Sequence, residues 1–125
     1  MRVLVVDDQP DYSRLVARWL HKLGGAVRVE LAASAAEALS LVESMMPDLV
    51  ITDLVMPDMD GFELTRKVKE KVPAPVVVVM TSTEPPRFRE LAGAAGADYF
   101  VEKGNLQSRL PEFLQKRFGL GPRNG

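Results

Sequence analysis

The chain has no cysteine, one histidine, few aromatic residues (6%) and a formal net charge of only −1. Without cysteine there is no disulfide, no thiolate nucleophile and no Cys-based metal centre. The single histidine, His21, falls off the apolar stripe of its helix and reads as a surface residue without a role. A charge so close to neutral supplies no global attraction to nucleic acid or to an anionic membrane. The basic residues are scattered and no helix-turn-helix unit accompanies them, so nothing here reads bases. Long apolar runs are also missing: the longest are about five residues, where a bilayer span needs roughly 20. Met1-Arg2 leads straight into strand-like sequence, with no signal-peptide core. The expectation is a cytoplasmic single domain, and the 46% apolar and 26% charged residues are enough for one covered core.

What is present is alternation. Arg2 to Val6 is a nearly unbroken β-branched run, as in a strand buried on both faces. Pro10 suits a first helical turn, and Tyr12, Leu15, Val16, Trp19, Leu20 and Leu23 form one helical stripe that Gly24-Gly25 should end. Val27 to Leu31 reads as a second strand. Ser34-Ala-Ala-Glu37 is a capping box opening a helix to about Ser44. Leu49 to Ile51 is a third strand ending at Thr52-Asp53, followed by the turn Met56 to Gly61 and a helix from about Phe62 to Lys71. Val76 to Met80 is a fourth strand, Pro85-Pro86 opens a helix to Ala95, and Tyr99 to Val101 is a fifth strand. The last helix should run from Leu106 to Phe118, with Pro111 tolerable only in a first turn. Five β-α repeats imply a single α/β domain with a doubly wound parallel sheet and helices on both faces.

In such sheets ligands sit beyond the carboxyl ends of the strands. Those positions hold Asp7 and Asp8, Asp53, Thr81-Ser82 and Lys103. Taken singly, each has a structural reading: Asp7 or Asp8 as a helix cap, Thr81 as a satisfied strand end, Lys103 as a solvated charge, and Asp58, Asp60 and Gly61 as turn formers. Taken together, three carboxylates, a hydroxyl and an ammonium converge on one sheet edge. Clustered carboxylates need a cation or a proton between them. Oxygen-only ligands favour a hard ion such as Mg²⁺, and the Lys and Thr opposite suit a transferring phosphoryl group.

The segments LVVDD, DLVITDLVMPDMDG, VVVVMTS and GADYFVEKG resemble the receiver domain of bacterial response regulators, chemotaxis regulators included. The resemblance runs from Val3 to about Phe118, and the D-x-x-M-P-x-M-D-G stretch from Asp53 to Gly61 is its most specific part. It implies a flavodoxin-like (βα)5 fold with strand order 2-1-3-4-5, residues 1–118 forming the receiver domain and 119–125 a tail or the start of a linker. It further implies that Asp53 accepts a phosphoryl group from a sensor histidine kinase or phosphotransfer protein. Asp7, Asp8, Asp53 and the Val55 carbonyl would hold Mg²⁺, Thr81 and Lys103 would contact phosphoryl oxygens, and Phe100 would turn inward behind Thr81 as a switch. The fourth helix, fifth strand and fifth helix would then change their surface towards a downstream protein, an output domain or a second copy. Arg87, Phe88 and Arg89 form a basic-aromatic patch near that face, equally readable as a solvated helix start.

Two departures from the family pattern matter. Lys103 is followed by Gly104 where the family usually has proline, so a trans peptide is expected there. Val55 and Thr83 occupy positions that modulate attack of water on the acyl phosphate, and the inert Val55 side chain suggests slow dephosphorylation. Competing readings fit less well. A nucleotide or flavin site would want a Gly-rich loop where DDQP stands. An aspartate-nucleophile phosphatase would carry its nucleophile on the first strand. A receiver working by binding alone would not need the full set of Asp7, Asp8, Asp53, Thr81 and Lys103.

Overall fold

The computed structural model describes residues 1–23, 27–82 and 86–119. Its elements alternate as β1 (Arg2–Val6), α1 (Pro10–His21), β2 (Arg28–Ala32), α2 (Ala35–Met45) and β3 (Leu49–Asp53), then α3 (Gly61–Lys69), β4 (Val76–Thr81), α4 (Pro86–Ala95), β5 (Tyr99–Glu102) and α5 (Lys103–Phe118). All neighbouring strands pair in parallel, in the order β2-β1-β3-β4-β5. The expected stop at Gly24-Gly25, Thr83, Pro85 and the tail beyond Gly119 lie outside the described residues.

The apolar runs of the central strands now have a use on both faces. Val3, Val5, Leu49, Ile51, Val76, Val78 and Met80 pack with Val16 and Leu20 of α1 and Leu106, Leu110 and Leu114 of α5. The alternate residues Leu4, Val6, Val50, Val77 and Val79 pack with Ala38 and Val42 of α2, Leu64 and Val68 of α3 and Ala92 of α4. Each such side chain, fully buried, contributes on the order of 1.5–3 kcal/mol, which is why the middles of the three inner strands are apolar. The chain steps from β1 to β2 on one side, then returns to place β3 on the other. The carboxyl ends of β1 and β3 therefore flank the point where strand order reverses, and there the sheet opens a crevice.

Local signals were obeyed with one exception. Ser34 Oγ accepts from the Glu37 amide at 3.2 Å and Asp60 Oδ1 from the Glu63 amide at 2.8 Å, each a side-chain cap. α5, however, begins at Lys103 rather than Leu106, so Pro111 lies in the helix interior rather than in its first turn. Proline has no N–H to donate to the preceding turn, and that loss is offset by burial of Leu106, Leu110 and Leu114 on the sheet. The Lys103–Gly104 peptide is trans, since Val72–Pro73 is the cis bond of the described chain.

Candidate functional site

The crevice is floored by the residues that end β1 and β3. The Asp7 amide continues the ladder by donating to Ala32 O at 3.0 Å, and Asp7 Oδ1 turns back to accept from the Gln9 amide at 2.9 Å. Gln9 is the N-cap residue of α1 and makes no side-chain cap; the Asp7 bond instead fixes the turn by which the chain enters the helix. Asp7 is buried and Asp8, next to it, is exposed. Asp53 is buried at the end of β3, opposite Met80 in register, so that Thr81 emerges one residue further along β4, also buried.

Lys103 closes the crevice from the first residue of α5. Its Nζ lies 2.8 Å from Asp7 Oδ2 and 3.3 Å from Asp53 Oδ2. The approach to Asp53 is a hydrogen bond; the one to Asp7 is a close ionic contact without hydrogen-bond geometry. Burial pushes the Asp53 carboxyl above its ordinary value; the nearby Lys103 charge pulls it down and the Asp7 charge raises it again, leaving it raised. Burial pulls the Lys103 ammonium down, but the close carboxylates of Asp7 and Asp53 outweigh it and hold it above the usual lysine range. The ammonium is thus the cation that the clustered carboxylates require.

Asp7, Asp8 and Asp53 each bring one carboxylate oxygen within 4.8 Å of the others. Hard oxygen donors so grouped, with one of the three side chains open to water, fit a small divalent ion that keeps part of its hydration shell. Beside them Asp8, Gln9, Pro10, Asp11, Tyr12 and Leu15 line an open groove of about 610 Å³. The Val55 amide donates to Asp53 Oδ1 at 3.4 Å while its side chain is 70% exposed. Phe100 is already inside, only 5% exposed, with the Arg89 guanidinium 5.4 Å from its ring centre.

Three residues with a part in this geometry were read from the sequence only as stripe or turn residues. Tyr12 belongs to the apolar stripe of α1, yet its hydroxyl donates to Lys103 O at 3.1 Å. The available signal was a phenol hydroxyl in an otherwise apolar stripe, since such a hydroxyl, once covered, needs a partner. Asp58 accepts from the amides of Ala35 and Ala36, both at 3.0 Å, and thereby ties the β3–α3 loop to α2. Gly61 lies against the Asp53 backbone: a Cβ there would stand 2.6 Å from Asp53 O and 2.8 Å from Leu54 Cα.

The family model described as "Response regulator receiver domain" matches residues 3–115. The chain belongs to that family. Receiver domains of this kind serve phosphorylation-controlled signalling in two-component systems and bind Mg²⁺ at an acidic pocket. This receiver domain is 38% identical over 113 residues to protein-glutamate methylesterase/protein-glutamine glutaminase 1 of Syntrophus aciditrophicus, covering 87% of the chain and 32% of that protein. It is 33% identical over 120 residues to the transcriptional regulatory protein TrcR of Mycobacterium tuberculosis, covering 93% of the chain and 46% of that protein. The chain thus spans a third to a half of these relatives, and the matched part is their receiver portion. Among solved structures, the Vibrio cholerae chemotaxis protein CheY4 superposes with a TM-score of 0.82 at 29% identity, covering 92% of this chain and 96% of that one. No helix among the described residues is long and apolar enough to cross a membrane.

Proposed function

We propose that Asp53 is the phosphoacceptor of a signalling switch, fed by a phosphohistidine on a partner kinase or phosphotransfer protein. The observation that supports this best is the placement of Asp53: a buried carboxylate at a strand end, in contact with Lys103 and beside Asp7. An Asp53 carboxylate oxygen attacks the donor phosphorus, the P–N bond breaks, and the imidazole leaves as the acyl phosphate forms. Lys103 neutralises charge on the phosphoryl oxygens as they enter, and Thr81 offers its hydroxyl to one of them. Asp7, Asp8, Asp53 and the Val55 carbonyl are the groups that would hold Mg²⁺. When bound, the ion supplies further positive charge beside the transferring group.

The response to phosphorylation falls to Thr81, drawn towards the new phosphate, and to Phe100 behind it, whose ring lies under Arg89 of α4. Movement there changes the α4–β5–α5 surface presented to a downstream protein, an output domain or a second copy. Residues 1–118 constitute the switch. The Val55 side chain can neither orient nor activate water, so the acyl phosphate is long-lived, and Val55→Asn should shorten its half-life severalfold. The test of the chemistry is mass spectrometry after incubation with acetyl phosphate and Mg²⁺. A gain of one phosphoryl group, lost in Asp53→Asn and on chelation, is expected; no gain in the unmodified chain overturns the reading.

A further inference from the structure

Lys103 reaches the carboxylates from a position that its own neighbours in sequence do little to fix. Gly104 comes next, in surroundings so open that an added Cβ would meet nothing within 4 Å. A lysine side chain has four rotatable bonds and, left free, would carry its charge out to water. Its restraint comes from α1, at the other end of the chain. The Tyr12 hydroxyl donates to the Lys103 carbonyl at 3.1 Å, and the face of the same ring lies 4.7 Å from Lys103 Nζ. One side chain therefore holds both the main chain and the ammonium of Lys103. Tyr12 is itself braced edge-on by Trp19, with ring centres 6.1 Å apart, and Gln9 Oε1 adds a contact to Nζ at 3.3 Å.

We propose that Tyr12 is the positioning residue for Lys103, confining its ammonium to the Asp7–Asp53 crevice. The effect on transfer rests on Asp53 being the phosphoacceptor; the confinement itself does not. Confinement has two consequences of opposite sign. An ammonium held at Asp7 competes with Mg²⁺ for the same carboxylates, so releasing it should tighten Mg²⁺ binding. The same ammonium stands where phosphoryl oxygens must arrive, so releasing it should slow transfer. A tyrosine that merely supported the fold would, when removed, weaken both.

The experiment uses the full chain, with Mg²⁺ binding followed by the emission of Trp19, its only tryptophan, and phosphorylation by acetyl phosphate followed by mass. Tyr12→Leu, which loses ring and hydroxyl, should lower the Mg²⁺ Kd roughly two- to fivefold, the size of one cation–π contact near a surface. It should slow transfer at saturating donor by about the same factor. Tyr12→Phe, which keeps the ring, should shift both less. In a Lys103→Ala background neither Tyr12 variant should have a further effect, since the residue they act through is gone. An unchanged or raised Kd in Tyr12→Leu, or equal shifts with and without Lys103, overturns the proposal. If the chain accepts no phosphoryl group, the phosphoacceptor reading fails while the Mg²⁺ measurements still decide the role of Tyr12. If Tyr12→Leu does not fold, Tyr12→Phe carries the comparison. In the metal-free protein the ring contact is also read directly, as an upfield NMR shift of the Lys103 Hε protons; absence of that shift overturns the proposal whatever Mg²⁺ does.

Discussion

Lys103 Nζ lies 2.8 Å from Asp7 Oδ2, and the two side chains keep only 10% and 0% of their exposure. They come from opposite ends of the chain, just after the first strand and at the start of the last helix. This pair joins the termini of the fold across the top of the sheet, in the same crevice where the carboxylates crowd.

Removing the cation from that crevice should destabilise the metal-free protein. Breaking a fully buried ion pair costs about 3–5 kcal/mol, but this crevice is open to water beside Asp8, so about 1–3 kcal/mol is expected for Lys103→Ala. Urea denaturation measures it. Added Mg²⁺ should restore more stability to the variant than to the unmodified chain, because it replaces the missing charge. An equal gain in both would mean that lysine and metal do not share the site.

Asp53→Asn should act in the opposite direction. Burial raises the folded-state value of this carboxyl. A raised acid contributes stability that is fully present below its unfolded value near 3.8 and is lost as pH rises through the folded value. At neutral pH the ionised, partly desolvated Asp53 is therefore a burden on the fold. The amide should be more stable there, and the gap should close as the solution is acidified. Denaturation midpoints compared at neutral pH and near pH 4 test it; a gap that widens on acidification would contradict the assignment.

The sheet and the acidic site were legible because both are local signals. Val76 to Met80 reads as a buried strand from five residues alone, and Asp7, Asp53, Thr81 and Lys103 stand out as the chemically active residues at the strand ends. What stayed hidden depends on partners distant in sequence. The Tyr12 hydroxyl finds its acceptor 91 residues away, and the Asp58 carboxylate closes a helix that began 23 residues earlier. The start of α5 escaped for another reason. Gly104 and Asn105 are poor helix formers, and Glu102 at the N-cap makes no side-chain cap, so the first turn is set by the direction in which β5 delivers the chain.

Gly61 should tolerate no side chain. Its amide donates to Leu54 O at 2.7 Å, and a Cβ would stand 2.6 Å from the Asp53 carbonyl oxygen, inside contact distance of backbone that cannot rotate away. Gly61→Ala should therefore cost about 1–3 kcal/mol, the range of overpacking in a filled core. It should also slow phosphorylation by acetyl phosphate, since the displaced backbone is that of Asp53. Denaturation and phosphorylation rates together check this; loss of stability with an unchanged rate would show that the strain relaxes into α3 instead.

Asp58 ties the loop after Asp53 to another helix. Its two oxygens accept from Ala35 and Ala36, and those bonds hold the carboxyl below its ordinary value. A depressed acid contributes stability that is present above its unfolded value and is lost as pH falls through the folded one. Asp58→Ala removes the acceptors, leaving two amides at the start of α2 to water. Hydrogen exchange at Ala35 and Ala36 should accelerate in the variant, and at Val55 too if the loop loosens with it. Acidifying the unmodified protein below the Asp58 value should weaken the same cap. Exchange at Ala35 and Ala36 that is the same in variant and unmodified chain would place the restraint on α2 in Ser34 alone.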